Sequence, residues 1–253
     1  MLGGPFGLLA GLAVRFSGRR VGLVLVYHRV GDPQGDPERE LVPALGTALF
    51  KAQLRYLKKR YDVVAPSQIL AATRRRRRGE RFPVAITFDD DLGSHAGLAM
   101  PILTRMGLPA AFFVCGASLE EPFAFWWERL QKAVDRGLAD VPALGAAEAR
   151  SIHEVGLAIE GMTPEERDMV SAALASRIGP DPREAGMRAS DVQELAAAGF
   201  EIGFHTLRHD VLPALDDERV EQAMDEGKGR LADVVHAPIT MIAYPHGCCD
   251  ARV

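Results

Sequence analysis

The chain is constrained most by a rhythm. Five short apolar runs recur along it: VGLVLVYH (21–28), PVAITFDD (83–90), AAFFVCG (110–116), FEIGFH (200–205) and ITMIAYPHG (239–247). The first is continuous and branched, as a strand buried on both faces should be. Segments of helical period separate the runs. Leu45, Leu49, Ala52 and Tyr56 share one helical stripe, HAGLAMPILTRMG predicts a helix stopped by Gly107, and LDDERVEQAMDEGKGRLADVV is amphipathic through Val220, Met224, Leu231 and Val235. Strands alternating with long crossovers require a parallel sheet, open or closed into a barrel.

Residues 117–190 interrupt this rhythm with FWWERL and Ala-rich stretches. Thr163-Pro164-Glu165-Glu166 there reads as an N-cap, a first-turn proline and a capping-box glutamate. Ser190-Asp191 starts a further helix, which Gly199 ends. No Ser/Gly-rich linker flanks the region, so it is expected to be a helical insertion in a single domain spanning 21–253, preceded by an N-terminal arm over 1–20. The arginine run of ATRRRRRGER (72–81) reads as a solvated connector, with contact to an anionic polymer or lipid surface as the second reading.

Bulk properties exclude several classes. At 253 residues, 47% apolar and 25% charged, this is the composition of a soluble globular chain, and a net charge of −4 gives no general reason to expect nucleic acid. Cys115, Cys248 and Cys249 make no disulfide framework. The opening MLGGPFGLLAGLAVRF lacks a basic start, and Gly and Pro interrupt it below the ~20 residues of a spanning helix. A cytoplasmic protein is expected, with weak membrane-surface association as the minority reading. The oligomeric state is not legible.

Chemistry gathers at strand ends. PVAITF stops on Asp89, Asp90 and Asp91, three carboxylates that repel unless a cation or donors hold them. FEIGF stops on His205, and His209 follows four residues later. In a parallel sheet both groups leave the same rim, where α/β proteins place their chemistry. Two imidazoles and one carboxylate are the ligand set of a catalytic zinc centre with an open position for water. Neighbouring strand residues point to opposite sides, so one aspartate can bind metal while the other stands beside the water.

At this point TFDD (87–90), HTLRH (205–209) and AYPHG (243–247) resemble successive motifs of the polysaccharide deacetylase family, the NodB-homology or carbohydrate esterase 4 group. YHRVGD (27–32), FKAQLRYLKKRYDVV (50–64) and MPILTRMGLPAAFFV (100–114) resemble the branch whose domain opens with a Tyr-His strand. The resemblance implies a distorted (β/α)7 barrel that removes N-acetyl groups from the amino sugars of a polysaccharide or lipid-linked glycan. It implies Asp89 as general base and Asp90, His205 and His209 as ligands of a divalent metal, zinc foremost. Metal-bound water would attack the acetyl carbonyl. It also implies a groove lined by Tyr244, Pro245 and His246, with the backbone N–H of His246 as oxyanion donor.

The sequence departs from the family pattern in places. Asp91 replaces the usual glycine, and Ala243 stands where many members carry arginine, so the partner that orients Asp89 is unassigned. No Leu-x-His follows Tyr244. In the Tyr-His branch the N-terminal strand histidine can supply the acid instead, which makes His28 the candidate. Trp126 and Trp127 read either as a sugar-stacking pair or as a buried helix face. Cys248 and Cys249 read as loop residues or extra soft ligands. O-acetyl ester hydrolysis, a non-catalytic sugar-binding role and a two-metal phosphoesterase are the competing functions.

Overall fold

The computed structural model describes residues 16–32, 40–119, 124–138, 151–179 and 186–253. Most of the expected N-terminal arm and parts of the insertion lie outside these residues. Strands β1 (Leu23–Tyr27), β2 (Asp62–Val63), β3 (Pro83–Phe88), β4 (Ala111–Val114) and β5 (Glu201–Phe204) form one sheet. Its order is β1-β3-β4-β5, with β2 against the start of β3, and every pairing is parallel. The α/β class and the parallel sheet are as expected; among the described residues the arc holds five strands.

The last apolar run forms no sixth strand among the described residues. Ile242 makes an isolated parallel bridge with Phe204, closed by Phe204 N–H to Met241 O and Ala243 N–H to Phe204 O. Pro245 then removes a donor and the chain turns over Pro245–Gly247.

β3 and β4 are buried throughout. A ladder of rings, Tyr27, Phe50, Phe88 and Phe112, packs against them at centroid separations of 4.7–6.0 Å. β1 corrects the expectation of a strand buried on both faces: Leu23, Val24 and Val26 are about half exposed. It pairs only with β3 among the described residues and forms the edge of their sheet.

Helix α1 (Thr47–Arg60) buries Phe50, Leu54 and Leu57, while Leu49 and Tyr56 of the expected stripe face solvent. Two apolar stripes compete on this helix, and the one carrying Phe50 reaches the ring ladder. After α2 (Ile69–Arg75) and β3, a π-type turn over His95–Ala99 leads into α3 (Met100–Met106). Pro101 cannot donate a helical hydrogen bond, and Met100 N–H bonds five residues back to His95 O. Gly107 ends α3 in the left-handed conformation, as expected.

The insertion contributes α4 (Trp126–Asp135), α5 (Ile152–Glu160) and α6 (Pro164–Ile178). They share a private core built on Leu130, Ile159, Leu174 and Ile178. The Thr163 capping box forms as read, with Thr163 N–H to Glu166 at 2.9 Å and Glu166 N–H to Thr163 at 3.3 Å. α7 (Ala189–Ala197) precedes β5, and Asp191 caps the Arg188 N–H at 2.8 Å.

The final amphipathic segment is two helices rather than one, α8 (Asp217–Asp225) and α9 (Lys228–Val235). The break is at Gly227, which adopts φ +82 against Gly116; a Cβ there would meet Gly116 Cα at 2.6 Å. Only glycine allows both the conformation and the approach.

Candidate active site

The site assembles at the carboxyl ends of β1, β3 and β5. β3 hands over to Asp89, and the chain then enters the left-handed region at Asp90 (φ 77) and Asp91 (φ 38). That tight turn breaks the alternation expected of a strand, and Asp89 and Asp90 line the same cavity. β5 hands over to His205, with Thr206 (φ 63) and His209 (φ 57) also left-handed. With His246 (φ 55), five of the six non-glycine residues of positive φ among the described residues belong to this rim, the exception being His236. Backbone strain of about 1–3 kcal/mol per residue persists only where surrounding structure imposes it, and it concentrates at functional sites.

Asp90, His205 and His209 are buried, and one ligand-type atom from each lies within 4.8 Å of the others. Asp90 Oδ1 stands 3.3 Å from His205 Nε2 and 3.2 Å from His209 Nε2. A tetrahedral ion with bonds of about 2.0–2.2 Å separates its ligand atoms by about 3.3–3.6 Å. His205 Nδ1 lies 2.9 Å from Ala243 O; donating there leaves Nε2 of the neutral ring as a lone pair facing the carboxylate. Asp90 Oδ1 is buried without a hydrogen bond of normal geometry. Acceptors aimed at one point, with an orphaned carboxylate oxygen among them, fit a cation. Without a cation, protons on the two imidazoles take its place: burial would raise Asp90, yet hydrogen bonds and charge from His205 and His209 outweigh it and hold the carboxyl well below the usual carboxylate range.

Asp89 is half-buried, and its Oδ1 has no hydrogen-bond partner among the described residues. Burial pushes its carboxyl above the ordinary value; the charge of His205 opposes the shift and that of Asp90 adds to it. His28, at the end of β1, lies 3.8 Å from Asp90 through Nε2 and lines the cavity. The cavity has a volume of about 880 Å³. Tyr244 and His246 line it, whereas Pro245 is buried and does not.

Asp91 adds no charge to the cavity. It is fully buried, its carboxylate accepts the Cys115 N–H at 2.8 Å, and its carbonyl accepts the Met187 N–H at 2.7 Å. It ties the end of β3 to the end of β4. Trp127 stacks on Phe125 at 4.2 Å and meets His209 edge-on at 4.9 Å, so it backs that imidazole. Trp126 is half-buried, and both tryptophans line the cavity, with Trp127 the more buried of the two. Cys248 and Cys249 join no ligand cluster among the described residues.

Two contributors were missed in the sequence. Glu160, the last residue of α5, pairs with His246 Nδ1 at 2.9 Å and brings the insertion to the cavity wall. No motif marks it. His95 read as a helix-start residue, but it is fully buried against Phe88 and Phe112, and its Nε2 donates to His28 O at 2.9 Å. Burial pushes its imidazole down to about 4, so the ring is neutral and anchors the backbone of His28. The cue was adjacency: His95 lies between the Asp cluster and Pro101.

Residues 76–253 match the sequence profile of the polysaccharide deacetylase family, and the chain belongs to that family. No curated protein sequence matches it. Several solved structures share the fold, three of them as follows. The Streptococcus pyogenes deacetylase PplD, in complex with acetate, is 17% identical with a TM-score of 0.59, covering 91% of this chain and 76% of that one. A de-N-acetylase from Aggregatibacter actinomycetemcomitans is 17% identical with a TM-score of 0.58, covering 90% and 80%. The polysaccharide deacetylase BC0361 from Bacillus cereus is 18% identical with a TM-score of 0.56 and covers 92% of this chain, which spans about half of its length, 54%. No described helix is long and apolar enough to cross a membrane.

Proposed function

We propose that the chain is a metal-dependent hydrolase that removes N-acetyl groups from the amino sugars of a glycan. The observation that carries this reading is the convergence of Asp90, His205 and His209 on one point, with Asp89 and His28 opening onto the same cavity. Family membership and the de-N-acetylase among the structural neighbours support the reaction class.

Asp90, His205 and His209 would hold a divalent ion, zinc by ligand type. When bound, such an ion acidifies a water and polarises a carbonyl oxygen. Asp89 accepts the proton shed by the water as its oxygen bonds to the acetyl carbon; a carboxyl raised by burial is the better base. The backbone N–H of His246 donates to the carbonyl oxygen as negative charge builds there. The carbon–nitrogen bond then breaks, His28 delivers a proton to the departing nitrogen, and acetate and a free amine result. The His246–Glu160 pair gives a second reading for the acid, because a carboxylate holds that imidazole beside the same cavity.

The test is acetate release from N-acetylated chito-oligomers and from acetylated xylan, with and without chelator. Release from the chito-oligomers that chelator abolishes and zinc restores is the expected result. Release from xylan alone would make the protein an ester hydrolase. No release from either, in a chain that binds a chito-oligomer, would make it a sugar-binding relative. His28→Ala and His246→Ala separate the two acids, because the true acid loses turnover number far more than it changes KM.

A further inference from the structure

The carboxyl rim of the sheet accounts for the acids and histidines, and the arginine run lies elsewhere. Arg74–Arg78 close α2 and lead into β3 at its start, the opposite end from Asp89. Within the run only Arg76 is buried. Its guanidinium donates to Ser17 O at 3.2 Å, Arg19 O at 2.7 Å and Glu80 O at 3.2 Å, and it lies 3.6 Å over the Phe82 ring. That anchor fixes the loop, and Arg74, Arg75, Arg77 and Arg78 all face solvent.

The same rim carries more exposed basic residues. Arg19 and Arg20 lead into β1, and Lys58, Lys59 and Arg60 end α1. Arg81 donates to Lys58 O at 3.2 Å and joins the two groups. Three acids stand beside these ten bases: Glu80, which accepts the Arg77 N–H, Glu201, which accepts from Ser67, and exposed Asp62 at the start of β2, so the positive charge prevails. In a chain of net charge −4, this is a concentrated positive surface. Apolar side chains sit in it: Phe16 (52% exposed) beside Gly79, Val21 (46%) before β1, and Leu70 (68%) on α2. The sequence leading into Phe16 is uncharged from Met1 to Val14.

We infer that this amino rim is a docking surface for an anionic lipid bilayer. Arginines alone would suit any polyanion. The interleaved Phe16, Val21 and Leu70 favour lipid, because burial among acyl chains rewards apolar area and contact with a hydrated polymer does not. The geometry also fixes an orientation. The two rims are separated by the length of the strands, about 17–20 Å, so the cavity opens away from the bilayer toward water. The docking stands whether or not the cavity deacetylates.

The test is co-sedimentation of the full chain with phosphatidylcholine vesicles containing about one-third phosphatidylglycerol, and with pure phosphatidylcholine vesicles. Binding to the anionic vesicles alone, weakening as salt rises, is expected. Each exposed arginine strengthens binding about fivefold. Joint replacement of Arg74, Arg75, Arg77 and Arg78 by Ala, keeping Arg76, should therefore weaken partitioning by about a hundredfold or more, with an unchanged melting curve. Phe16→Ser should weaken it about tenfold. Orientation has its own readout. The only two tryptophans, Trp126 and Trp127, lie by the cavity, so brominated lipid should leave their emission unquenched. No sedimentation with anionic vesicles, or undiminished sedimentation of the fourfold variant, would overturn the assignment. So would capture by dextran sulfate without vesicle binding, which would assign the patch to an anionic polymer. Quenching by brominated lipid would overturn the orientation.

Discussion

The two rims of one sheet are built on opposite terms. At the carboxyl rim, Asp90 Oδ1 and Asp89 Oδ1 make no hydrogen bond of normal geometry among the described residues, and five residues hold left-handed backbone. At the amino rim, the one buried charge among the described residues, Arg76, is clasped by three carbonyls and a ring, and the other arginines described there stay in water. Unsatisfied groups and strain cost stability, so their concentration at one end marks where selection acts on something other than stability. Substitutions at the two rims should therefore fail in different ways.

The largest effect expected is at the ligands. Asp90→Ala should reduce bound metal from about one per chain to none and bring acetate release below detection, as chelator would; mass spectrometry of the native protein checks it. Retained metal would show that the convergence of the three residues is not a ligand set. Next comes Asp89→Asn, with turnover falling by about 10²–10⁴-fold while metal stays bound. Metal loss in that variant would exchange the roles of the two aspartates.

Arg76→Ala turns to the other rim. It should lower unfolding free energy by about 1–3 kcal/mol, since it removes a charged donor from three backbone carbonyls and its packing on Phe82, and leave turnover per folded molecule unchanged. Denaturant melts alongside acetate release would show both halves. A loss of turnover in molecules that remain folded would dissolve the contrast between the rims.

The smallest effect is one of pH. His95 is neutral in the folded chain, with its imidazole pushed from 6.5 to about 4 by burial. Above about 6.5 neither the folded nor the unfolded chain protonates it, and it contributes no pH dependence. As pH falls from 6.5 toward 4 the unfolded chain gains the proton first, so stability drops by up to about 2–3 kcal/mol over that window. His95→Phe should remove this part of the acid loss. An unaltered profile would mean that His95 takes up its proton without cost.

What could be read from the sequence divides along the same physical line. Asp89, Asp90, His205 and His209 were legible because a strand end fixes direction and rim together, and two such ends in a parallel sheet must meet. The Thr163 cap was legible because it involves four consecutive residues. Illegible features depend on contacts remote in sequence. Phe50 outcompetes Leu49 because the ring ladder lies on its side, and Gly227 breaks a continuous amphipathic pattern because Gly116 presses against it. Glu160 reaches His246 across 86 residues, and no local pattern can announce that.

The private core of the insertion has a further consequence. Leu130, Ile159 and Leu174 pack among themselves, yet α4 presents Trp126, and α5 presents Leu157 and Glu160, to the cavity. The end of the cavity at Asp90, His205 and His209 is fixed by the sheet, while the facing wall rides on a unit with its own interior. Substitutions in that wall can reshape the cavity opposite Asp90 without disturbing the strand ends, because its helices are held by an interior of their own.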